Sequence, residues 1–251
     1  MRGQVLLEID RLSKNFGGLR AISDLSFNVG AGEFVGIIGP NGAGKSTLLN
    51  LITGFHRPTS GTVRFEGQEI QGKAPYEVCR LGIARTFQVV RPFTEMSVED
   101  NVMTGALFSA RGVTLAEART RARLPLDLTG LWAKRHFLGG ELPIGEKKKL
   151  ELARSLAVGA KLLLLDEVMG GLTKSELEDM IAVLQRIHAS GTTIIMIEHI
   201  VEAIVALSQR VVVLNFGEKL FEGTPAEVME HPAVIESYLG SEAKADVSAQ
   251  A

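Results

Sequence analysis

The segment Gly39-Pro-Asn-Gly-Ala-Gly-Lys-Ser-Thr47 constrains this chain more than any other stretch. Before it stands a short apolar run, Phe34-Val-Gly-Ile-Ile38. After it, Ser46 to Thr53 reads as a helix that ends near Gly54, with Pro58 beyond. A buried strand therefore runs into a glycine-rich loop that opens a helix. Glycines let successive backbone N–H groups turn toward an anion, a lysine reaches the β- and γ-oxygens of a triphosphate, and a hydroxyl ligates Mg2+. Gly39, Gly44, Lys45 and Ser46 stand at the required spacing, and the helix N-terminus favours negative charge. The reading is a magnesium and nucleoside-triphosphate site built from Gly39, Pro40, Asn41, Gly42, Ala43, Gly44, Lys45, Ser46 and Thr47.

Such a loop needs an acidic partner at the end of a second buried strand, where a carboxylate can hold the metal's water shell. Leu162-Leu-Leu-Leu-Leu-Asp166 supplies it, and the adjacent Glu167 is positioned as general base for an attacking water. Two neighbouring carboxylates alone describe a solvated turn; at the end of an all-apolar strand they read as catalytic. Gln4 to Asp10, Ser23 to Val29 and Thr62 to Phe65 read as further strands, and Glu95 to Leu156 as a helical subdomain. Lys161 to Asp166, Thr192 to Glu198 and Arg210 to Asn215 are strand-like runs. The helical stretches Ser175 to His188 and Ile200 to Leu207 separate them, which implies a parallel sheet wrapped by helices. No repeat of solenoid period occurs, and the small, polar stretch 241–251 reads as a frayed tail.

At 251 residues the natural organisation is one domain with an appended subdomain. A net charge of -2 gives no global attraction to nucleic acid, and the run Lys147-Lys-Lys149 reads as a solvated helix face whose charge offsets Glu146, not as a nucleic-acid site. The single Cys79 reads as a buried, inert thiol in a reducing compartment. Met1 to Asp10 shows no charged-then-apolar leader. Leu156 to Leu165 is interrupted by Lys161 and too short to span a bilayer, so the expected location is cytoplasmic.

From Leu6 to about Gly240 the chain resembles the ATP-binding subunits of ABC transporters. Gln88 in Arg85-Thr-Phe-Gln88 matches that family's Q-loop glutamine, His199 its switch histidine, and Glu141 to Ala157 its signature motif and helix. Phe16 falls where the family stacks an aromatic ring on adenine. The resemblance implies an α/β P-loop NTPase: a RecA-like core with an antiparallel β subdomain plus an inserted helical subdomain. It implies one domain over 1–240, with core 1–88 and 157–240 and helical part about 89–156. The ligands implied are ATP and Mg2+, with Ser46, Gln88 and Asp166 toward the metal, Glu167 as base and His199 sensing the γ-phosphate. In the family the signature crosses a head-to-tail dimer to hold the partner's γ-phosphate. Here it reads Leu142-Pro143-Ile144-Gly145-Glu146 in place of Leu-Ser-Gly-Gly-Gln. A hydroxyl donor is lost, Glu146 adds negative charge, and Pro143 is expected at the first helical position, leaving later N–H groups for the anion. Val168 replaces the usual proline after the catalytic acid, and Thr173 stands where aspartate is common.

Asn15-Phe-Gly-Gly18, Thr53-Gly-Phe-His-Arg-Pro58, Gly82 to Gln88, Arg91 to Asn101, Gly223-Thr-Pro225 and Tyr238-Leu-Gly240 look like the importer subunits for branched-chain and related hydrophobic amino acids. That likeness implies a homodimer or a heterodimer with a sibling ATPase, peripheral on the inner face of the cell membrane. Two membrane permeases and, indirectly, a periplasmic substrate-binding protein are the further partners, with no nucleic acid. Alternatives are the ATPase of a lipid or lipopolysaccharide exporter and a soluble ABC ATPase; against the latter stand a single cassette and no sustained heptads.

Overall fold

In the computed structural model, residues 4–110 and 112–238 are described. The tail expected at 241–251 and the end of Tyr238-Leu-Gly240 lie outside the described residues. The elements begin with strands β1 (Val5–Phe16), β2 (Leu19–Gly30) and β3 (Phe34–Ile38), helix α1 (Lys45–Ile52), then β4 (Ser60–Phe65) and β5 (Gln68–Glu69). They continue with α2 (Pro75–Arg80), β6 (Ile83–Arg85), α3 (Val98–Ser109), α4 (Leu115–Leu128), α5 (Ile144–Ala157), β7 (Leu162–Asp166) and α6 (Lys174–Ala189). The last are β8 (Thr193–Ile197), α7 (Val201–Leu207), β9 (Arg210–Asn215), β10 (Glu218–Gly223) and α8 (Pro225–Glu230). The chain divides into two compact units, Met1–Ala74 with Met196–Ala251, and Pro75–Ile195.

In the first unit, β2, β1, β4 and β5 form an antiparallel sheet in that order. β1 and β2 are longer than their sequence alternation predicts. The pairing slips between Ile9 and Leu12, where Arg11 has φ 45°, so Ile9 and Leu12 are both buried although three residues apart. A bulge of this kind breaks the period of two while the strand continues. Gly17 and Gly18 then close the hairpin between the paired Phe16 and Leu19. In the same unit β3 pairs parallel with β9, and β9 antiparallel with β10. Every residue of β3 is buried, which explains its unbroken apolar run and anchors the loop that follows.

In the second unit β6 pairs parallel with β7, whose five residues are all buried up to Asp166. Helices α3, α4 and α5 share a separate core that includes Val98, Val102, Leu126, Leu131 and Leu150. Side-chain caps fix the starts of the first two: Ser97 accepts from the Asp100 N–H before α3, and Thr114 with Glu117 forms a reciprocal capping box at α4. Thr173 and Glu176 do the same for α6.

Candidate functional site

In the first unit the phosphate loop leaves β3 and enters α1 through Gly44, whose φ is 101°. A Cβ there would meet the Ala21 carbonyl oxygen at 2.5 Å and Ile22 Cδ1 at 2.8 Å, so only glycine fits this turn. The first bond of α1 runs from the Leu48 N–H to the Gly44 carbonyl, no side chain caps this end, and no acidic residue lies in the first turn. Lys45 Nζ donates to the carbonyls of Gly39 (2.7 Å) and Pro40 (3.0 Å), which holds the ammonium over the loop. Ser46 is exposed and Thr47 half-buried, while Ala43 is buried beneath them. An uncapped helix start, a lysine drawn over the loop and an exposed serine fit a triphosphate. Phe16 ends β1 with 41% of its surface exposed, edge-on to His56 at 5.1 Å. It is therefore an open ring, not a core aromatic. His199 follows β8 with its side chain 64% exposed, next to the fully buried Glu198. Sequence reasoning gave Tyr238 only as a family marker; its hydroxyl hydrogen-bonds the Gly39 backbone, and burial pushes its phenol up against that bond.

In the second unit Asp166, Glu167 and Gln88 are brought together. Gln88 Nε2 donates to Glu167 Oε2 at 2.8 Å, and Glu167 takes a left-handed backbone with φ 50° at the strand tip. Asp166 is buried and its Oδ2 accepts from Arg85 Nη2 at 2.8 Å, with both side chains no more than 10% exposed. Arg85 was part of a recognised motif but had no role there; it supplies the positive charge that a buried aspartate needs. Among the described residues no group of three or more His, Cys, Asp or Glu side chains is arranged to hold a metal ion. A single buried carboxylate such as Asp166 suits Mg2+, which keeps several waters and takes one or two carboxylates beside substrate phosphates.

The signature segment departs from its sequence reading in three ways. Pro143 is the residue before the helix, not its first member; its carbonyl accepts from Lys147 and α5 starts at Ile144. Glu146 is paired with Lys134 at 2.5 Å, so its charge is offset from a neighbouring turn and not by the lysine run. That run is no solvated face: Lys148 is buried, Lys147 and Lys149 are half-buried, and Lys149 pairs with Asp179. The helix packs on this side, with Gly145, Lys148, Glu151 and Leu152 all buried.

The sequence model of the ABC transporter family matches residues 22–170, and that of the branched-chain amino acid ATP-binding cassette transporters matches residues 218–244. This chain belongs to the ABC transporter ATP-binding cassettes. The high-affinity branched-chain amino acid transport ATP-binding protein LivG of Salmonella typhimurium is 38% identical over 253 residues, covering 94% of this chain and 98% of that protein. The ADP conformation of an ABC transporter cassette superposes with TM-score 0.84 at 30% identity, over 94% of this chain and 99% of that one. A dimeric cassette in a post-hydrolysis state bound to ADP and phosphate gives 0.76 at 25% identity, over 88% and 99%. The cassette is an ATP-binding P-loop ATPase, in the branch of the branched-chain amino acid transport ATP-binding proteins. Among the described residues no helix is long and apolar enough to cross a membrane.

Proposed function

We propose that this cassette hydrolyses ATP to drive an importer of branched-chain or related hydrophobic amino acids. It works head-to-tail with a second copy or a sibling cassette, beneath two permeases at the inner face of the cell membrane. A periplasmic binding protein selects the substrate. The observation that carries this reading is the stretch 218–244, where the match to the branched-chain amino acid type runs through β10 and α8. Neither a lipid exporter nor a soluble ABC ATPase has an observation in its favour. We further read residues 1–240 as one cassette with a helical subdomain at 89–156, supported by the separate core of α3, α4 and α5.

Each residue then has a task. Backbone N–H groups of Gly42, Gly44, Lys45, Ser46 and Thr47 and the ammonium of Lys45 bind the β- and γ-phosphates, and Phe16 offers its face to adenine. Ser46, Asp166 and the carbonyl of Gln88 are the groups that would hold Mg2+ and its waters; the Gln88 amide N–H is committed to Glu167. The ion, when bound, neutralises charge on the β- and γ-oxygens. Arg85 fixes one oxygen of Asp166, and Glu167 takes the proton of the attacking water. His199 contacts the γ-phosphate, and Pro143, Ile144, Gly145 and Glu146 present the start of α5 to the partner's nucleotide. Glu167→Gln keeps shape and loses basicity. ATP binding by a fluorescent analogue should stay unchanged while phosphate release falls about a hundredfold or more. Wild-type turnover in that variant removes Glu167 as the base. Loss of leucine uptake in vesicles carrying the assembled transporter with this variant tests the transport role.

A further inference from the structure

Three consecutive lysines, Lys147 to Lys149, follow the first turn of α5, and the middle one is buried. Lys148 is 7% exposed, and its Nζ donates to the carbonyl oxygen of Val168 at 2.9 Å and to that of Gly170. These carbonyls lie one and three residues beyond Glu167, in the turn that leaves β7. One turn further along the same face of α5, Glu151 is 5% exposed and accepts the Phe87 N–H at 2.8 Å. Phe87 directly precedes Gln88. Both side chains border one small space together with Thr86, Gln88 and Val168. Burial pushes the Glu151 carboxyl up, against the Phe87 N–H and the charges of Arg154 and Lys148.

Burying an ammonium and a carboxylate costs more than burying two leucines of like size, so their use here asks for a reason beyond stability. Each serves a main-chain group of a functional loop. Glu167 sits on a left-handed backbone that the turn must hold, and Gln88 hydrogen-bonds its carboxylate. A shift of either loop by an ångström would misplace the base, and misplacements of that size cost up to a hundredfold in rate. We propose that Lys148 and Glu151 are positioning residues that tie the loops of Glu167 and Gln88 to α5, so that the helix presenting Pro143 to Glu146 to the partner's nucleotide sets the hydrolytic geometry of its own chain.

This rests on the roles given above to Glu167 and Gln88. The test is steady-state ATP hydrolysis by the full chain assembled with its partner cassette and permeases, with kcat and KM separated, for Lys148→Met, Lys148→Gln, Glu151→Leu, Glu151→Gln and Glu167→Gln. Lys148→Met and Glu151→Leu should each lower kcat about tenfold or more with KM for ATP within about twofold. Lys148→Gln, whose amide still donates to a carbonyl, and Glu151→Gln, whose carbonyl still accepts the Phe87 N–H, should recover most of the rate. Wild-type kcat in Lys148→Met, a change in KM alone, or equal losses in the conservative and the apolar variants would overturn the proposal. Should Lys148→Met not fold, the Glu151 pair decides by the same criterion. Full turnover in Glu167→Gln refutes the base and the proposal together; an inactive Glu167→Gln beside a fully active Lys148→Met refutes the proposal alone.

Discussion

Alanine at Gly44 and, separately, at Gly42 distinguishes two costs that the phosphate loop imposes on a side chain. Both glycines have left-handed φ, 101° and 79°. A Cβ at Gly42 meets nothing within 4 Å, whereas at Gly44 it lies 2.5 Å from the Ala21 carbonyl oxygen and 2.8 Å from Ile22 Cδ1. Backbone strain for an L-residue in this region costs about 1–2 kcal/mol, and it applies to both variants. Overpacking adds about 1–3 kcal/mol, and it applies to Gly44→Ala alone, because the nearest atom is backbone and yields only if the β2 edge moves. The difference between the variants is therefore about 2 kcal/mol. For a chain of this size 1 kcal/mol corresponds to roughly 2–4 °C, so Gly44→Ala should melt about 6 °C below Gly42→Ala. Calorimetry of the two variants without nucleotide measures this. Equal melting temperatures, or a Gly44→Ala variant as stable as wild type, would refute the packing of the loop against β2.

Arg85→Met leaves Asp166 buried without its partner and should cost about 3–5 kcal/mol in urea unfolding. Adding Asp166→Asn should restore part of that, and additive losses would mean that the two do not interact. Glu151 gives a pH signature. Its folded-state value lies above the ordinary glutamate value of about 4.3, so the folded chain holds the proton more tightly than the unfolded one. Stability contributed by this group therefore falls as pH rises from about 4.3 through the raised value. Melting temperatures of Glu151→Gln followed upward from pH about 4 should show a shallower decline than wild type. A wild type that gains stability relative to the variant over that range would contradict the assignment.

Where burial was uniform the sequence was legible. Phe34–Ile38 and Arg210–Asn215 are strands over the expected residues, because all or nearly all of their side chains are buried and the apolar run marks both ends. The β1–β2 hairpin was harder: the bulge at Arg11 ends the alternation five residues before the strand ends at Phe16. Helix α2, strands β6 and β10 and helix α8 are short, between three and six residues, and show too few periods to declare themselves. In the site, the loop Gly39–Thr47 and Asp166-Glu167 stand out because their chemistry is local in sequence. The ion pairs of Asp166 and of the signature residue Glu146 are not: Arg85 lies 81 residues from Asp166, and Lys134 twelve from Glu146. Lys148 had a usable signal, since it stands three residues after Gly145 and four before Leu152 on one buried helical face. Three lysines in a row concealed it.

Equilibrium binding of ATP to the full chain, wild type against Lys45→Met, in Mg2+, bears most directly on the phosphate loop as the nucleotide site. Removing a charge-assisted contact of about 1.5–3 kcal/mol should weaken binding by roughly ten- to a hundredfold, in a nucleotide-free chain that still unfolds in one cooperative transition. Equal affinity in the two proteins would place ATP somewhere other than the loop from Gly39 to Thr47.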